Sequence, residues 1–440
     1  MTDLSSKTFL VKDHHGLFIC LARRLAETGA KVFYQTPTDR RDGINEAVIG
    51  DGMAKSERGP IVCVDDLWLV KRQVDCFVFP DIRHAGEQVE LREQGYPVWG
   101  AGLGMQLELD RLFFLKKLEE FGLDVPPYEV VTGVSALREH LKDKENIWVK
   151  LSKWRGSWET FHWRSWQEDA HRFDIWGVRF GGVKELLNFI CFPEIDTKLE
   201  IGGDTYNVDG QWPSLMLHGI EAKDKAYFGA VTQRDHMPKE LLPVMEAFSP
   251  FLKQSGYRQQ WSMEVRVTDE ASFFIDCTTR GGLPSTGSQI LAMSNLPEVI
   301  FHGAAGNFVE AQYNCKFTAE CMVSVSGEQN AWETIVLPDE LRPHLMLADY
   351  CEVNGQPWFP CDEDKIDEIG WLVATGDTPT ETAQRMNELA DMLPDGADAA
   401  VESLADIIRE VEAEQDKGIR FTDAPMPEPE IVLAPSKKGE

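Results

Sequence analysis

Positive charge is what this chain has least of: 44 Lys and Arg stand against 73 Asp and Glu, a formal charge of −29. Backbone affinity for nucleic acid comes from neutralising phosphates with Lys and Arg, so broad nucleic-acid binding is excluded and only local basic pockets remain allowed. Long apolar runs are also missing, since no stretch approaches the roughly 18 apolar residues of a membrane-spanning helix. The first residues, MTDLSSKTFLVKDHHG, hold no basic segment followed by an apolar one. A cytoplasmic protein without a membrane partner is expected. The nine cysteines form no CxxC pair and no repeating spacing, which predicts reduced, mostly buried thiols. Finally, no GxxxxGK[ST] loop is present and no GxGxxG follows a predicted strand. The commonest nucleotide-binding fingerprints are therefore absent, and any phosphate chemistry must be assembled from other parts.

What is present reads as a soluble α/β protein. With 440 residues, 43% hydrophobic and 27% charged, the chain has room for several domains with substantial cores. In the first hundred residues, apolar runs (Thr8 to Val11, Lys31 to Tyr34, Ile61 to Val64, Cys76 to Phe79) alternate with amphipathic segments such as Leu17 to Thr28. That is the pattern of an open, mainly parallel sheet. His14, His15 and Gly16 fall where the first strand meets its helix, a place where such sheets often bind ligands, although adjacent loop histidines are commonly just solvated.

Arg111 to Phe121 has helical periodicity, closed by Gly122 and the extended exit Pro126-Pro127. Strands are predicted at Tyr128 to Val131, Ile147 to Leu151, Leu187 to Phe192 and Glu200 to Asp209, with a helix at Ser135 to Leu141. Trp154 to Trp176 holds five of the 13 tryptophans, a cluster expected to form core or a packing surface rather than to stack on a base. Further strands are predicted at Ala319 to Val325, Leu345 to Val353 and Gly370 to Ala374. Helices follow at Thr378 to Leu393 and Ala399 to Glu414, and the Pro-, Glu- and Lys-rich stretch from Asp423 to Glu440 is expected to be disordered.

Chemistry concentrates in Trp261 to Gly287, WSMEVRVTDEASFFIDCTTRGGLPSTG. Ser262 to Val267 and Ser272 to Asp276 read as two arms of a hairpin around Thr268-Asp269-Glu270. Antiparallel pairing can set Glu264 and Asp276 on one face. Like charges so close repel unless a cation or a proton relieves them, and Mg²⁺ holds carboxylates and phosphate oxygens together in this way. Two solvated hairpin acids are the alternative. Arg280 and the Gly-Gly turn after Asp276 add phosphate-compatible chemistry. Lys150 ends the strand Ile147-Trp148-Val149, and the loop after it, Ser152-Lys153-Trp154-Arg155-Gly156-Ser157, offers more cations and a flexible glycine. Such a loop can close over phosphates. The linker Pro193-Glu194-Ile195-Asp196, leading to Glu200, can read an adenine through its backbone while a carboxylate grips ribose hydroxyls.

In this order the parts resemble the ATP-grasp superfamily, and within it phosphoribosylamine-glycine ligase and related carboxylate-amine ligases. The resemblance spans roughly residues 5 to 415. LELDRLFFLKKLEEFGLDVPPYEVV is similar to the family's opening helix and its exit, WVKLS to its phosphate-binding lysine strand, FPEIDTKLEI to its adenine hinge, and FIDCTTRGG to its magnesium strand. GWLVATGDTPTETAQRMNELADML is similar to the strand and helix of its last domain. The resemblance implies an N-terminal open α/β sheet domain (1–110), a two-lobed nucleotide clamp with a small lobe (111–195) and a large, metal-bearing lobe (196–312), a small C-terminal α/β domain (313–418) and a tail (419–440). Asp276 stands where the family usually has Glu, Thr278 where it has Asn, and Arg111 where it has Lys. The glycine-rich loop is reduced to Gly156.

What this implies is an ATP- and Mg²⁺-dependent ligase that joins small-molecule carboxylate and amine substrates through an acyl phosphate, releasing ADP and phosphate. Arg111, Lys150, Gly156, Glu194 and Glu200 would hold the nucleotide, with Glu200 on the ribose. Glu264, Asp276 and Thr278 would hold Mg²⁺, and Arg280 and Lys153 would act on the transferring phosphoryl group, with Arg258 and Arg266 as weaker candidates. The altered metal strand leaves open a nucleotide-binding or scaffold protein without turnover. Substrate identity and oligomeric state, including a homo-oligomer, are not legible in these residues.

Overall fold

The computed structural model describes residues 2–36, 49–50, 52, 61–153, 160–196, 199–325, 332–360 and 367–416. Gly156, Trp154, Trp158 and the tail from Asp423 lie outside the described residues.

Five short parallel strands form the first sheet: β1 (Thr8–Lys12), β2 (Lys31–Gln35), β3 (Ile61–Cys63), β4 (Cys76–Val78) and β5 (Val98–Trp99). Their order is β3-β2-β1-β4-β5. Both faces are covered. Phe9, Val11, Val32 and Val78 pack into one core cluster, and Leu10, Phe33 and Phe77 into another. This is why these strands read as continuous apolar runs rather than alternating ones. Chain order reverses between β1 and β4, so the loops that follow these two strands diverge and leave a crevice at their C-terminal ends.

The second sheet is small and antiparallel: β6 (Glu129–Thr132), β7 (Ile147–Leu151), β8 (Thr160–Trp163) and β9 (Asn188–Pro193), in the order β6-β9-β7-β8. It has its own core, with Val149, Phe161, Trp163, Phe173, Trp176 and Phe189 packed together. The described members of the tryptophan cluster thus serve packing, as expected.

Among the described residues the third sheet holds nine strands. It begins with β10 (Leu199–Val208), β11 (Leu215–Ala222), β12 (Ala226–Gln233), β13 (Arg258–Val267) and β14 (Ser272–Thr278). Later in the chain come β15 (Phe317–Val325), β16 (Trp332–Thr334), β17 (Leu345–Leu347), β18 (Cys351–Val353), β19 (Gln356–Pro360), β20 (Asp367–Gly376) and β21 (Ala397–Ala399), of which β15, β17, β20 and β21 complete the nine. The large sheet runs β14-β13-β10-β11-β12-β15-β20-β17 with β21 on β15, while β16, β19 and β18 form a small separate sheet. Pairing of β12 with β15 carries the sheet unbroken past residue 312. One predicted strand, Leu345 to Val353, is divided. Asp349 takes a left-handed conformation (φ 48°) and donates its amide to the Gly16 carbonyl at 2.8 Å, so the backbone there is satisfied by the loop after β1 rather than by a strand partner.

Candidate nucleotide and metal site

On β13, Trp261, Met263 and Val265 enter the core, so Ser262, Glu264 and Arg266 point to the opposite face. Glu264 stands opposite Asp276 of β14 on one side and opposite Gly202 of β10 on the other. The register shifts between Glu264 and Val265, and Val265 pairs with Phe274. The bulge places Phe274 and Cys277 together in the core although their spacing is odd, which leaves Asp276 and Thr278 on the face of Glu264. The hairpin expectation for the two acids is met in its geometry. Beside them the floor is bare, because a Cβ on Gly202 would lie 2.6 Å from the Gly219 carbonyl oxygen.

The acids on this face are crowded. Burial, the Glu200 carboxyl bonded to it, and Asp276 and Glu221 nearby push Glu264 well above the usual carboxylate range. Burial would raise Glu200 too, but the hydrogen bond from Glu264, the Arg266 guanidinium and Lys150 hold it below that range. Arg266 Nε donates to Glu200 Oε2 at 2.8 Å, so Glu200 is engaged by a cation on the neighbouring strand as well as lining the cleft. Glu221, an exposed rim residue of β11, was not anticipated. Desolvation of its carboxyl and the like charge of Asp204 push it up too.

The small sheet supplies the facing wall. Desolvation and Arg111 push Lys150 down to about 8, against the pull of Asp276 and Glu264, so the lysine of β7 lies within electrostatic range of the acids of β13 and β14. Arg111 is brought there by the opening helix (Arg111–Glu120), whose N-cap Asp110 accepts from the Phe113 amide at 3.2 Å. The helix start is bolted to the end of β7: Arg111 N donates to the Ser152 carbonyl at 2.9 Å, and Ser152 Oγ donates to Asp110 Oδ1 at 2.9 Å. Lys153 is exposed, with Nζ 3.5 Å from Asp110 Oδ2. Gly156, expected to cover phosphates, lies outside the described residues.

Between the two walls a cavity of about 740 Å³ is lined by Trp148, Glu194, Ile195, Asp196, Glu200 and Arg266. Trp148 stacks on His162 with ring centroids 4.8 Å apart and an interplanar angle of 16°. Its Nε1 donates to Glu194 Oε2 at 2.7 Å. Sequence reasoning missed Trp148 as a wall of the cleft. The signal was its place two residues before Lys150, hence on the same face of β7.

At the far end of β14, Arg280 Nε donates to Glu108 Oε1 at 3.2 Å, and Glu108 Oε2 accepts from the Thr279 amide at 2.7 Å. Glu108 is buried and was also missed, its acidic side chain sitting between Leu107 and Leu109 ahead of the opening helix. Arg258 is elsewhere. It pairs with Asp209 at 2.8 Å and donates to the Ala304 carbonyl at 2.8 Å, so it braces the back of the sheet.

Among the described residues no three His, Cys, Asp or Glu side chains converge into a metal cage. The Glu264 and Asp276 pair suits Mg²⁺ nonetheless, since that ion is commonly held by one or two carboxylates with phosphate oxygens and water completing the shell. No helix among the described residues is long and apolar enough to cross a membrane.

Neither a protein-family model nor a curated sequence matches the chain. Solved structures do. Phosphoribosylamine-glycine ligase from Thermotoga maritima is 15% identical, with 89% of this chain and 98% of that one covered at a TM-score of 0.66. The biotin carboxylase domain of 2-oxoglutarate carboxylase from Hydrogenobacter thermophilus, in complex with MgADP, ADP and bicarbonate, is 11% identical, covering 93% and 95% at a TM-score of 0.67. N5-carboxyaminoimidazole synthetase from Staphylococcus aureus, complexed with ADP, is 12% identical, covering 88% and 98% at a TM-score of 0.56. The fold expected from the resemblance is the fold these structures share with this chain.

Proposed function

We propose that this chain, which has the ATP-grasp fold, is an ATP- and Mg²⁺-dependent ligase that joins a carboxylate to an amine through an acyl phosphate. The observation that carries the reading is the convergence of Lys150 from the small sheet and Arg111 from the opening helix on the pair Glu264 and Asp276 of the large sheet. Phosphoryl transfer asks the protein for positioning and charge neutralisation more than for a covalent nucleophile. The residues match that demand. Trp148, Glu194, Ile195 and Asp196 line a cleft roomy enough for a nucleotide, with Glu200 at its ribose end. Lys150 and Arg111 would draw the phosphates inward, with Lys153 beside them.

Glu264 and Asp276 would hold Mg²⁺, with Thr278 on the same face. The ion would screen the phosphates and the crowded acids at once. Arg280, held by Glu108, would lie against the transferring phosphoryl group or the acyl phosphate, where positive charge matters most as negative charge develops. Two of the structural neighbours contain ADP, which supports the nucleotide assignment.

The experiment is ADP release from ATP over a panel of carboxylate and amine pairs, with Asp276→Asn as control. Turnover that depends on both substrates and on Mg²⁺, and is lost in the folded variant, is expected. A native protein that releases no ADP with any pair, or a variant with undiminished turnover, contradicts the reading and favours a scaffold.

A further inference from the structure

The crevice between β1 and β4 opens directly onto Arg280. Pro80, just after β4, accepts from the Gly281 amide at 2.9 Å, which ties the loop after β4 to the residue following Arg280. Asp81 is next in the chain, and the Arg280 charge acts on it. Across the crevice, the loop after β1 is wound around the buried Asp13, which accepts from the amides of Gly16 at 3.0 Å and Phe18 at 2.6 Å and from Tyr34 Oη at 2.8 Å. That winding presents His15 to Asp81, and His15 Nδ1 donates to Asp81 Oδ2. About a third of the His15 side chain is open, while Asp81 is 5% exposed.

This is a His–Asp dyad in a ligand crevice, beside the cation assigned to the acyl phosphate. With Nδ1 committed to the carboxylate, Nε2 is the ring nitrogen that carries a lone pair. Burial would raise Asp81, but the His15 bond, Arg280 and the Ile82 amide outweigh it, so the orienting group is an anion. The other titratable groups around the crevice are Lys12 at the end of β1, paired with Glu87 at 2.6 Å, His14 and Asp13 on the first loop, Arg83 and His84 on the second, and Glu87 on the following helix. Asp349 packs beside Gly16. His14 is bonded to His84 at 3.3 Å, and His84 Nδ1 is 3.6 Å from Glu87. Desolvation and the positive potential of His15, Arg83 and His84 push His14 down to about 4, so it is neutral at pH 7 and adds no charge against a protonated His15.

We propose that His15, oriented by Asp81, is the general base that takes the proton from the acceptor amine, which enters through the crevice between β1 and β4. The assignment rests on the ligase reading above. A primary amine is an ammonium ion at neutral pH and has no lone pair with which to attack. His15 Nε2 removes one proton, the free amine forms the C–N bond at the acyl carbon, and the C–O bond to phosphate breaks. A second proton leaves the nitrogen as the tetrahedral adduct collapses. The products are the amide, hydrogen phosphate and one proton released to water by way of His15. A base of this kind contributes about 100-fold or more.

The test uses hydroxylamine, which is unprotonated at neutral pH and traps acyl phosphates as hydroxamates without needing a base. Native protein with MgATP is first screened over carboxylates for hydroxamate, then over primary amines for amide. His15→Gln is then expected to keep hydroxamate formation while losing about 100-fold in kcat for the primary amine. The loss should shrink as pH rises toward the pKa of the amine. His15→Ala should show the same split and be partly rescued by added imidazole. Equal losses with both nucleophiles, or no loss with the amine, would overturn the dyad while leaving the ligase standing. Absence of hydroxamate from the native protein with every carboxylate would instead remove the ligase reading, and the dyad with it.

Discussion

Glu264 and Asp276 face each other directly across neighbouring antiparallel strands, and burial together with the carboxyls of Glu200, Asp276 and Glu221 pushes Glu264 well above the usual carboxylate range. A bulge in β14 beside the pair turns Asp276 onto the face that alternation already gives Glu264, and a bare glycine floor lies next to them. Nothing in the packing of a sheet requires two acids there. Repulsion between them is a standing cost that a divalent cation removes, and Lys150 and Arg111 on the opposite wall give the same place its affinity for phosphate.

Nucleotide affinity should depend on Lys150 in a way that pH reveals. Its amine is pushed down to about 8 by desolvation and by Arg111. Phosphate binds the charged form, so the dissociation constant should rise as pH passes above about 8. Lys150→Arg, always charged, should abolish that rise, and Lys150→Met should weaken binding at neutral pH by about 10- to 100-fold, the worth of a charge-assisted hydrogen bond. Calorimetric titration of an ATP analogue across pH checks all three.

Arg280 should fail when Glu108 is changed, even where the nucleotide still binds. Glu108→Ala removes the partner of Arg280 and leaves the buried Thr279 amide without its acceptor. The expected loss is about 1–3 kcal/mol of stability, with kcat falling and nucleotide affinity kept. Glu108→Gln, which retains an acceptor, should be milder in both. Thermal melts and nucleotide titration, set beside ADP release, separate the two effects.

Glu320 gives a prediction away from the site. Its carboxyl is fully buried, accepts from the amides of Ser285 at 3.1 Å and Ser288 at 2.6 Å, and is pushed by burial up to about 7. In the unfolded chain it would titrate near 4.5. The native state then binds more protons than the unfolded one between these values, so stability falls as pH rises from about 4.5 to about 7. Glu320→Gln should flatten that part of the profile, by an amount on the order of 3 kcal/mol at neutral pH. Denaturant melts of both proteins across pH measure it.

Much of this was legible in the residues because the relevant periods are short. Apolar runs of four or five residues marked the parallel strands, and even spacing within the hairpin set Glu264 opposite Asp276. What lay hidden was whatever depends on a partner distant in the chain. The bulge opposite Val265 has no sequence mark of its own, and the engagement of Glu200 by Arg266 comes from register between β10 and β13. Glu108 is 172 residues from the arginine it holds. Asp349 breaks a strand-like run because its amide is taken by Gly16, which no local pattern could announce. Trp148 was legible but overlooked, since its alternation with Lys150 on β7 already placed it on the lysine's face.

The account is tested most directly by calorimetric titration of the protein with a non-hydrolysable ATP analogue, with and without Mg²⁺, beside Asp276→Asn. Saturable binding that Mg²⁺ strengthens and the folded variant weakens is the predicted result. Absence of binding under every condition, or binding indifferent to both the ion and Asp276, would contradict it.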